Sequence, residues 1–180
     1  GGSHANLTDD YAAVPAEMKA VASFFGKSAL RGISEEELLQ NAVSLRKKTG
    51  DRAILRALHF FHENERVDRL MTALKAGDLS GFLSIIKESG RSSAELLQNY
   101  YSPKAPEQQG ISLACAIASE LLGSEGAWRV HGGGFAGTMQ AFVPYARLAA
   151  FRSRMETVFG KGAVTELSVR ALGAVSVYHG

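Results

Sequence analysis

The sequence holds a single cysteine, Cys115, in 180 residues. One cysteine excludes an internal disulfide and a structural zinc site made of several thiolates. Proline is scarce, with 4 in the chain, so helices can run without interruption. No apolar run approaches the roughly 20 residues that cross a bilayer as a helix. No basic segment followed by an apolar run stands at the front as a signal peptide would. An excess of one charge is lacking too. Lys and Arg number 20 against 18 Asp and Glu, a formal net charge of +2, which leaves no broad basic footprint for nucleic acid. The remainder is ordinary globular composition. Hydrophobic residues make up 46% of the chain, enough for a sizeable core and too many for a disordered chain. A lone cysteine fits a cytoplasmic protein. The chain opens Gly1-Gly2-Ser3-His4 rather than on Met, and is expected to be a fragment or a processed chain.

The pattern predicts a helical front and a mixed back, residues 1–125 and 126–180 of one domain. Asp9 or Asp10 is placed to cap a helix over Tyr11–Phe25 that stops at Gly26, with Pro15 early enough to cost little. Ser34 and Glu37 form a capping box for a helix to Lys48, which Gly50 ends. Asp51 opens the longest helix, to about Ala76. On it Phe60, Val67, Leu70 and Leu74 recur at spacings of seven, three and four, which is one helical face. Gly77-Asp78 reads as a stop and a new cap, followed by a helix to Glu88. Ser92 with Glu95 reads as a second capping box. Pro103 and Pro106 mark a loop, and Gly110–Leu122 is an apolar helix. Strands are expected at Trp128–Val130, Thr138–Val143, Val164–Val169 and Gly173–Tyr178. A helix carrying Tyr145, Leu148, Phe151, Met155 and Phe159 starts at Pro144. This order predicts an α+β fold with a four-stranded antiparallel sheet covered by helices on one face.

The local feature with chemical content is His131-Gly132-Gly133-Gly134-Phe135-Ala136-Gly137. Four glycines in six positions mark backbone that turns tightly or approaches another group closely. The spacing of Gly132, Gly134 and Gly137 matches a dinucleotide fingerprint in form. That fingerprint needs a helix to start in the glycines, and here a strand-like segment follows. A Walker loop is excluded because no Lys-Ser or Lys-Thr follows. A lipase-type oxyanion segment would need a Gly-x-Ser-x-Gly elbow, which the chain lacks. A plain glycine hairpin stays open, as does a concavity of backbone N–H groups for an anion.

Arg129 to Thr138 resembles the third signature of the galactokinase branch of the GHMP small-molecule kinases. Arg56-Ala57-Leu58-His59 with Glu63-Asn64-Glu65-Arg66-Val67, and then Gly77-Asp78-Leu79, is similar to the long helix of that family. Tyr11, fifteen residues before Gly26, has the spacing of a family tyrosine near the sugar, and Ser89-Gly90-Arg91-Ser92 leads through Tyr101 to Pro106-Glu107. The matches are collinear and cover nearly the whole chain. The resemblance implies a C-terminal half with a ferredoxin-like sheet, the N-terminal catalytic domain being absent. It implies an ATP-dependent transfer of the γ-phosphoryl group to the anomeric hydroxyl of galactose. ATP and Mg²⁺ would be held mainly by the missing domain, the chain's expected partner. Gly132, Gly133, Gly134 and Phe135 would buttress the phosphate loop of that domain, and the Tyr11 hydroxyl would contact the sugar. Neither a Gly-Glu-His-Asp-Tyr-like nor a Gly-Leu-Ser-Ser-Ser-like run is present. The expectation is therefore no catalytic and no metal-binding residue here, and no activity for the chain alone.

The sequence also departs from the family pattern. His131 stands for Thr or Ser, Ala136 for Gly and Thr138 for Cys. Val14 and Pro15 replace an Arg pair, and Gln109 ends the Pro-Glu-x-Asp pattern. A kinase for a different sugar and a non-catalytic galactose sensor therefore stay open. Ala136 is expected to avoid positive φ, where a Cβ costs roughly 1 kcal/mol. Arg56, His59, Glu63 and Arg66 share one helical face, and Glu63 can reach both His59 and Arg66. This reads as a structural polar stripe, with a His59, His62 and Glu63 metal site as the weaker reading. Cys115 reads as core. His131 is expected either to bond near the phosphate loop or to fill the strand. The glycine loop is expected to join two antiparallel strands at an exposed edge, near the start of the Tyr11 helix. An exposed apolar surface is expected where the other half docks.

Overall fold

The computed structural model describes residues 7–169. Seven α-helices and one β-hairpin are present among them. In chain order these are α1 (Thr8–Phe24), α2 (Glu35–Gln40), α3 (Ala42–Thr49), α4 (Asp51–Ala76), α5 (Leu79–Ser92), a π-helical turn (Ser93–Leu97), α6 (Gly110–Leu122), β1 (Ala127–His131), β2 (Thr138–Phe142) and α7 (Tyr145–Phe159).

The front is a helical layer. Val21 and Ala22 of α1 meet Leu38, Leu45, Ala53, Ile54 and Ala57 in one buried cluster. The Ser34 hydroxyl caps α2 by accepting from the Glu37 amide at 3.1 Å. The expected helix to Lys48 breaks at Asn41, which closes α2 and opens α3. Leu7 stands at the start of α1 without a side-chain cap. Asp9 and Asp10 therefore lie inside the first turn rather than before it, and Pro15 falls in the helix interior. There it removes the N–H that would bond the Tyr11 carbonyl.

Helix α4 has the predicted bounds, and Gly77 ends it in the left-handed region. The apolar repeat does not mark its most buried face. Val67 and Leu74 are about half exposed, at 54% and 55%, while Arg56, His59 and Arg66 are buried. The polar face turns inward because α5 and β1 offer it hydrogen-bonding partners, set out below. Asp78 caps α5 by accepting from the Gly81 amide at 2.9 Å. The helix then runs past Glu88 to Ser92 and on into the π-turn, so Ser92 and Glu95 form no capping box.

The hairpin is the back layer. β1 and β2 pair antiparallel with Trp128 opposite Ala141 and Val130 opposite Met139. Two small cores flank it. Leu83 and Ile86 of α5 close over Ala127 on one side, and Ile111 and Cys115 of α6 over Val130 on the other. Phe151 and Met155 of α7 bury against Ala118 and Leu122 of α6, whereas Tyr145 is 90% exposed. The described sheet has two strands, not the expected four. Val164–Val169 forms no strand among the described residues: Leu167 and Val169 are 81% and 94% exposed, and no described strand lies beside it to supply the ladder a strand requires. The expected strand Gly173–Tyr178 lies outside the described residues. No helix among the described residues is long and apolar enough to cross a membrane.

Candidate functional site

The glycine loop joins β1 to β2, as its sequence predicts, and Gly132 and Gly133 are exposed while Gly134 and Phe135 are buried. Its inner side is packed against two residues from the helical layer. The Tyr11 hydroxyl of α1 donates to the Gly134 carbonyl at 2.9 Å. The Tyr11 ring meets Phe135 edge-on, with centroids 5.2 Å apart. A Cβ on Gly133 would lie 2.6 Å from that ring, so a side chain there would displace the tyrosine. Asn99 holds the loop from the other side. Its Nδ2 donates to the Gly133 carbonyl at 3.1 Å, and its backbone carbonyl accepts from the Phe135 amide at 2.6 Å. A Cβ on Gly134, whose φ is +82°, would collide with that Asn99 carbonyl. The close approaches thus serve contacts within the chain, and the outer side of the loop stays open.

Phe135, not Ala136, takes the left-handed conformation, with φ 61°. That conformation costs a non-glycine residue roughly 1 kcal/mol. The amide bond to Asn99 and the burial of the ring hold it there. His131 is exposed at the end of β1, so it does not fill the interior of the hairpin.

Asn99 gave no signal in the sequence. It is placed by a segment pinned at several points. The Leu97 carbonyl accepts from Arg56 Nε at 3.2 Å. Gln98 is left-handed, φ 58°, and its amide closes the π-turn on the Ser93 carbonyl at 2.8 Å. The Tyr100 hydroxyl donates to the Gly90 carbonyl at 2.9 Å. The Ser102 hydroxyl donates to the buried Asp10 at 2.6 Å, beside an exposed Asp9–Lys104 pair. Asp10, expected as a cap, instead ties α1 to this segment.

The polar stripe on α4 is the second support. Glu63 Oε2 accepts from Arg66 Nε at 2.9 Å, and its Oε1 accepts from the Ser89 hydroxyl at 2.6 Å and lies 3.4 Å from Arg129 Nη1. One carboxylate thus links α4, α5 and β1. Burial pushes the Glu63 carboxyl up, but the Ser89 hydroxyl and the Arg66 and Arg129 guanidiniums outweigh it and hold the group below its ordinary range. His59 pairs with the Ser92 hydroxyl at 2.9 Å rather than with Glu63, and burial holds its imidazole below the usual histidine range. His62 turns instead to Glu35 on α2, at 3.0 Å. The two histidines do not converge, which removes the metal reading. No group of three or more His, Cys, Asp or Glu among the described residues is placed to hold a metal ion. Arg56 is 2% exposed, with Nη1 2.9 Å from Glu17 Oε2, an ion-pair distance without hydrogen-bond alignment. Cys115 is buried, and burial pushes its thiol up, so it is core rather than nucleophile.

Set against known proteins, the chain is 32% identical to the galactokinase of Glaesserella parasuis serovar 5 over 149 residues, 83% of this chain. The chain resembles the C-terminal part of the galactokinases. It is 30% identical to the galactokinase of Mannheimia succiniciproducens over the same share. It spans 37% of the length of each of these relatives. The crystal structure of Lactococcus lactis galactokinase complexed with galactose superposes with a TM-score of 0.65 at 22% identity, over 88% of this chain and 38% of that one. That likeness is one of fold. No family model matches the chain.

Proposed function

We propose that this chain is the C-terminal portion of a galactokinase-like sugar kinase that transfers the γ-phosphoryl group of ATP to the anomeric hydroxyl of galactose in the cytoplasm. The observation that carries the reading is the likeness to galactokinases along most of the chain, with Tyr11 and the glycine loop side by side. Phosphoryl transfer needs positioning and charge stabilisation more than covalent chemistry. ATP with Mg²⁺ supplies the phosphoryl group when bound, held mainly by an N-terminal domain. In this chain Gly132, Gly133, Gly134 and Phe135 would support the phosphate loop of that domain. The inner side of the glycine loop is occupied by Tyr11 and Asn99, and its exposed Gly132 and Gly133 leave backbone for another chain segment to approach. That geometry favours a buttress over a direct phosphate cradle. The Tyr11 hydroxyl, at the edge of the loop, would contact the sugar.

The departures His131, Ala136 and Thr138 all fall in or beside the loop, which makes the sugar the open variable and a kinase for another sugar the second reading. The test is phosphorylation by the full-length protein, with ATP and a panel of galactose, talose and galactosamine. Galactose is expected to be the fastest, and the 180-residue chain alone is expected to be inactive. A faster talose or galactosamine reaction replaces galactose as the substrate. Sugar binding without turnover would instead make the protein a sensor.

A further inference from the structure

We propose that Asn99 is a positioning residue, a clamp that sets the conformation of the glycine loop on which phosphoryl transfer depends. The proposal rests on the kinase reading for its consequence and on geometry alone for its mechanics. Asn99 is 2% exposed. It grips the loop twice, through Nδ2 to the Gly133 carbonyl and through its own carbonyl to the Phe135 amide. Its Oδ1 is buried with no partner among the described residues. A buried amide oxygen left unpaired is costly, so an apolar residue would suit this place better if burial were its only task. The donor at Nδ2 is what only the amide supplies.

Strain points to the same place. Gln98 and Phe135 are the non-glycine residues with positive φ among the described residues. They lie on either side of the Asn99 contact, one just before Asn99 and the other bonded to its carbonyl. A π-helical turn leads into the first. Strained residues and π-turns persist where surrounding structure fixes them, and they gather at functional positions. Here that structure is Arg56 from α4, Asp10 from α1 and Gly90 from α5, each bonded to a different residue between Leu97 and Ser102. Three helices thus fix the position of one residue, which holds the loop through its side chain and its backbone.

The test uses the full-length protein with Asn99→Asp and Asn99→Ala. Aspartate keeps the size but sets a carboxylate against the Gly133 carbonyl. Alanine removes the donor without adding charge, and serves if the first variant does not fold. Misplacing a supporting group slightly is worth on the order of 10²-fold in rate, so kcat is expected to fall roughly tenfold to a hundredfold. KM for the sugar is expected to stay within about twofold, because the loss is felt only in the transition state. Hydrogen exchange at the Phe135 amide is expected to speed up while α4 amides keep their protection. Unchanged kcat, or exchange that rises equally along α4 and at Phe135, overturns the clamp. If the wild-type protein phosphorylates no sugar, the kinase reading fails instead. The clamp is then decided by exchange alone: selective loss of Phe135 protection supports it, and unchanged protection overturns it.

Discussion

One flank of α4 buries Ala53, Ile54 and Ala57 with Val21, Leu38 and Leu45. Another buries Arg56, His59 and Arg66, with Glu63 half-buried among them. The two flanks hold the molecule by different physics. Apolar contacts are non-directional and scale with the area removed from water, so the first flank supplies cohesion and tolerates small repacking. Hydrogen bonds and ion pairs are directional. The second flank therefore fixes where α5, the π-turn and β1 sit relative to α4. The glycine loop hangs on that second flank, through Arg56 to Leu97 and through Glu63 to Arg129. Cohesion comes from one side of the helix and placement from the other.

Removing cohesion is expected to have the larger effect. Leu45 is 0% exposed, and truncating a fully buried leucine costs about 3–5 kcal/mol in lost transfer energy and residual cavity. Leu45→Ala should lower the urea midpoint of the chain accordingly. A loss below about 1 kcal/mol would show that the front cluster collapses around the gap and is not the main source of stability. Breaking placement comes next. Glu63→Gln keeps the shape but leaves Arg66 and Arg129 without their counter-charge. Removing one partner of a buried pair costs about 3–5 kcal/mol. The Glu63 side chain is 29% exposed, so water shares the load and about 2–3 kcal/mol is expected. The sharper distinction is local. Two-dimensional amide spectra should show Glu63→Gln shifting β1 and the glycine loop, and Leu45→Ala shifting α1 to α3. If both variants perturb the same residues, the division between cohesion and placement fails.

The same division explains what the sequence disclosed. Helix punctuation is local, so Ser34, Gly50, Gly77 and Asp78 set boundaries that the structure keeps. The glycine loop was legible because four glycines are scarcely tolerated elsewhere. The burial of α4 was not legible. Its apolar spacing is genuine, yet Val67 and Leu74 are half exposed, because Arg56, His59 and Glu63 found partners on elements distant in sequence. Periodicity finds a face, but the partners decide which face is buried. Asn99 was silent for the same reason. An asparagine before two tyrosines has no pattern, and its role exists only once Gly133 and Phe135 are folded back against it. The four-stranded sheet was read from the order of four strand-like segments; of these Val164–Val169 has strand-like composition but no described strand beside it, and Gly173–Tyr178 lies outside the described residues. Among the exposed apolar residues are Val67, Met71, Leu74 and Leu79 of α4 and α5.

The smallest expected effect is a pH slope, and it again separates the two flanks, since only the polar one titrates. Burial holds the folded His59 imidazole below its ordinary value of 6.5, helped by the Arg66 and Arg129 charges and opposed by Glu63. As pH falls through about 6.5 the unfolded chain takes up a proton at this position and the folded chain does not. The unfolded state then binds more protons, so stability declines with falling pH down to the folded value. Glu63 follows at lower pH. Its folded carboxyl lies below the ordinary 4.5, so its contribution is complete above 4.5 and is lost as pH falls through the folded value. Acidification should therefore weaken the polar flank in two stages, histidine first. Comparing urea midpoints at pH 7 and 5.5 checks the first stage. The wild-type chain should lose stability between them, and His59→Gln, which cannot take up the proton, should lose less. Equal losses in the two proteins would assign the slope to other histidines and leave the Ser92-bonded imidazole without a part in it.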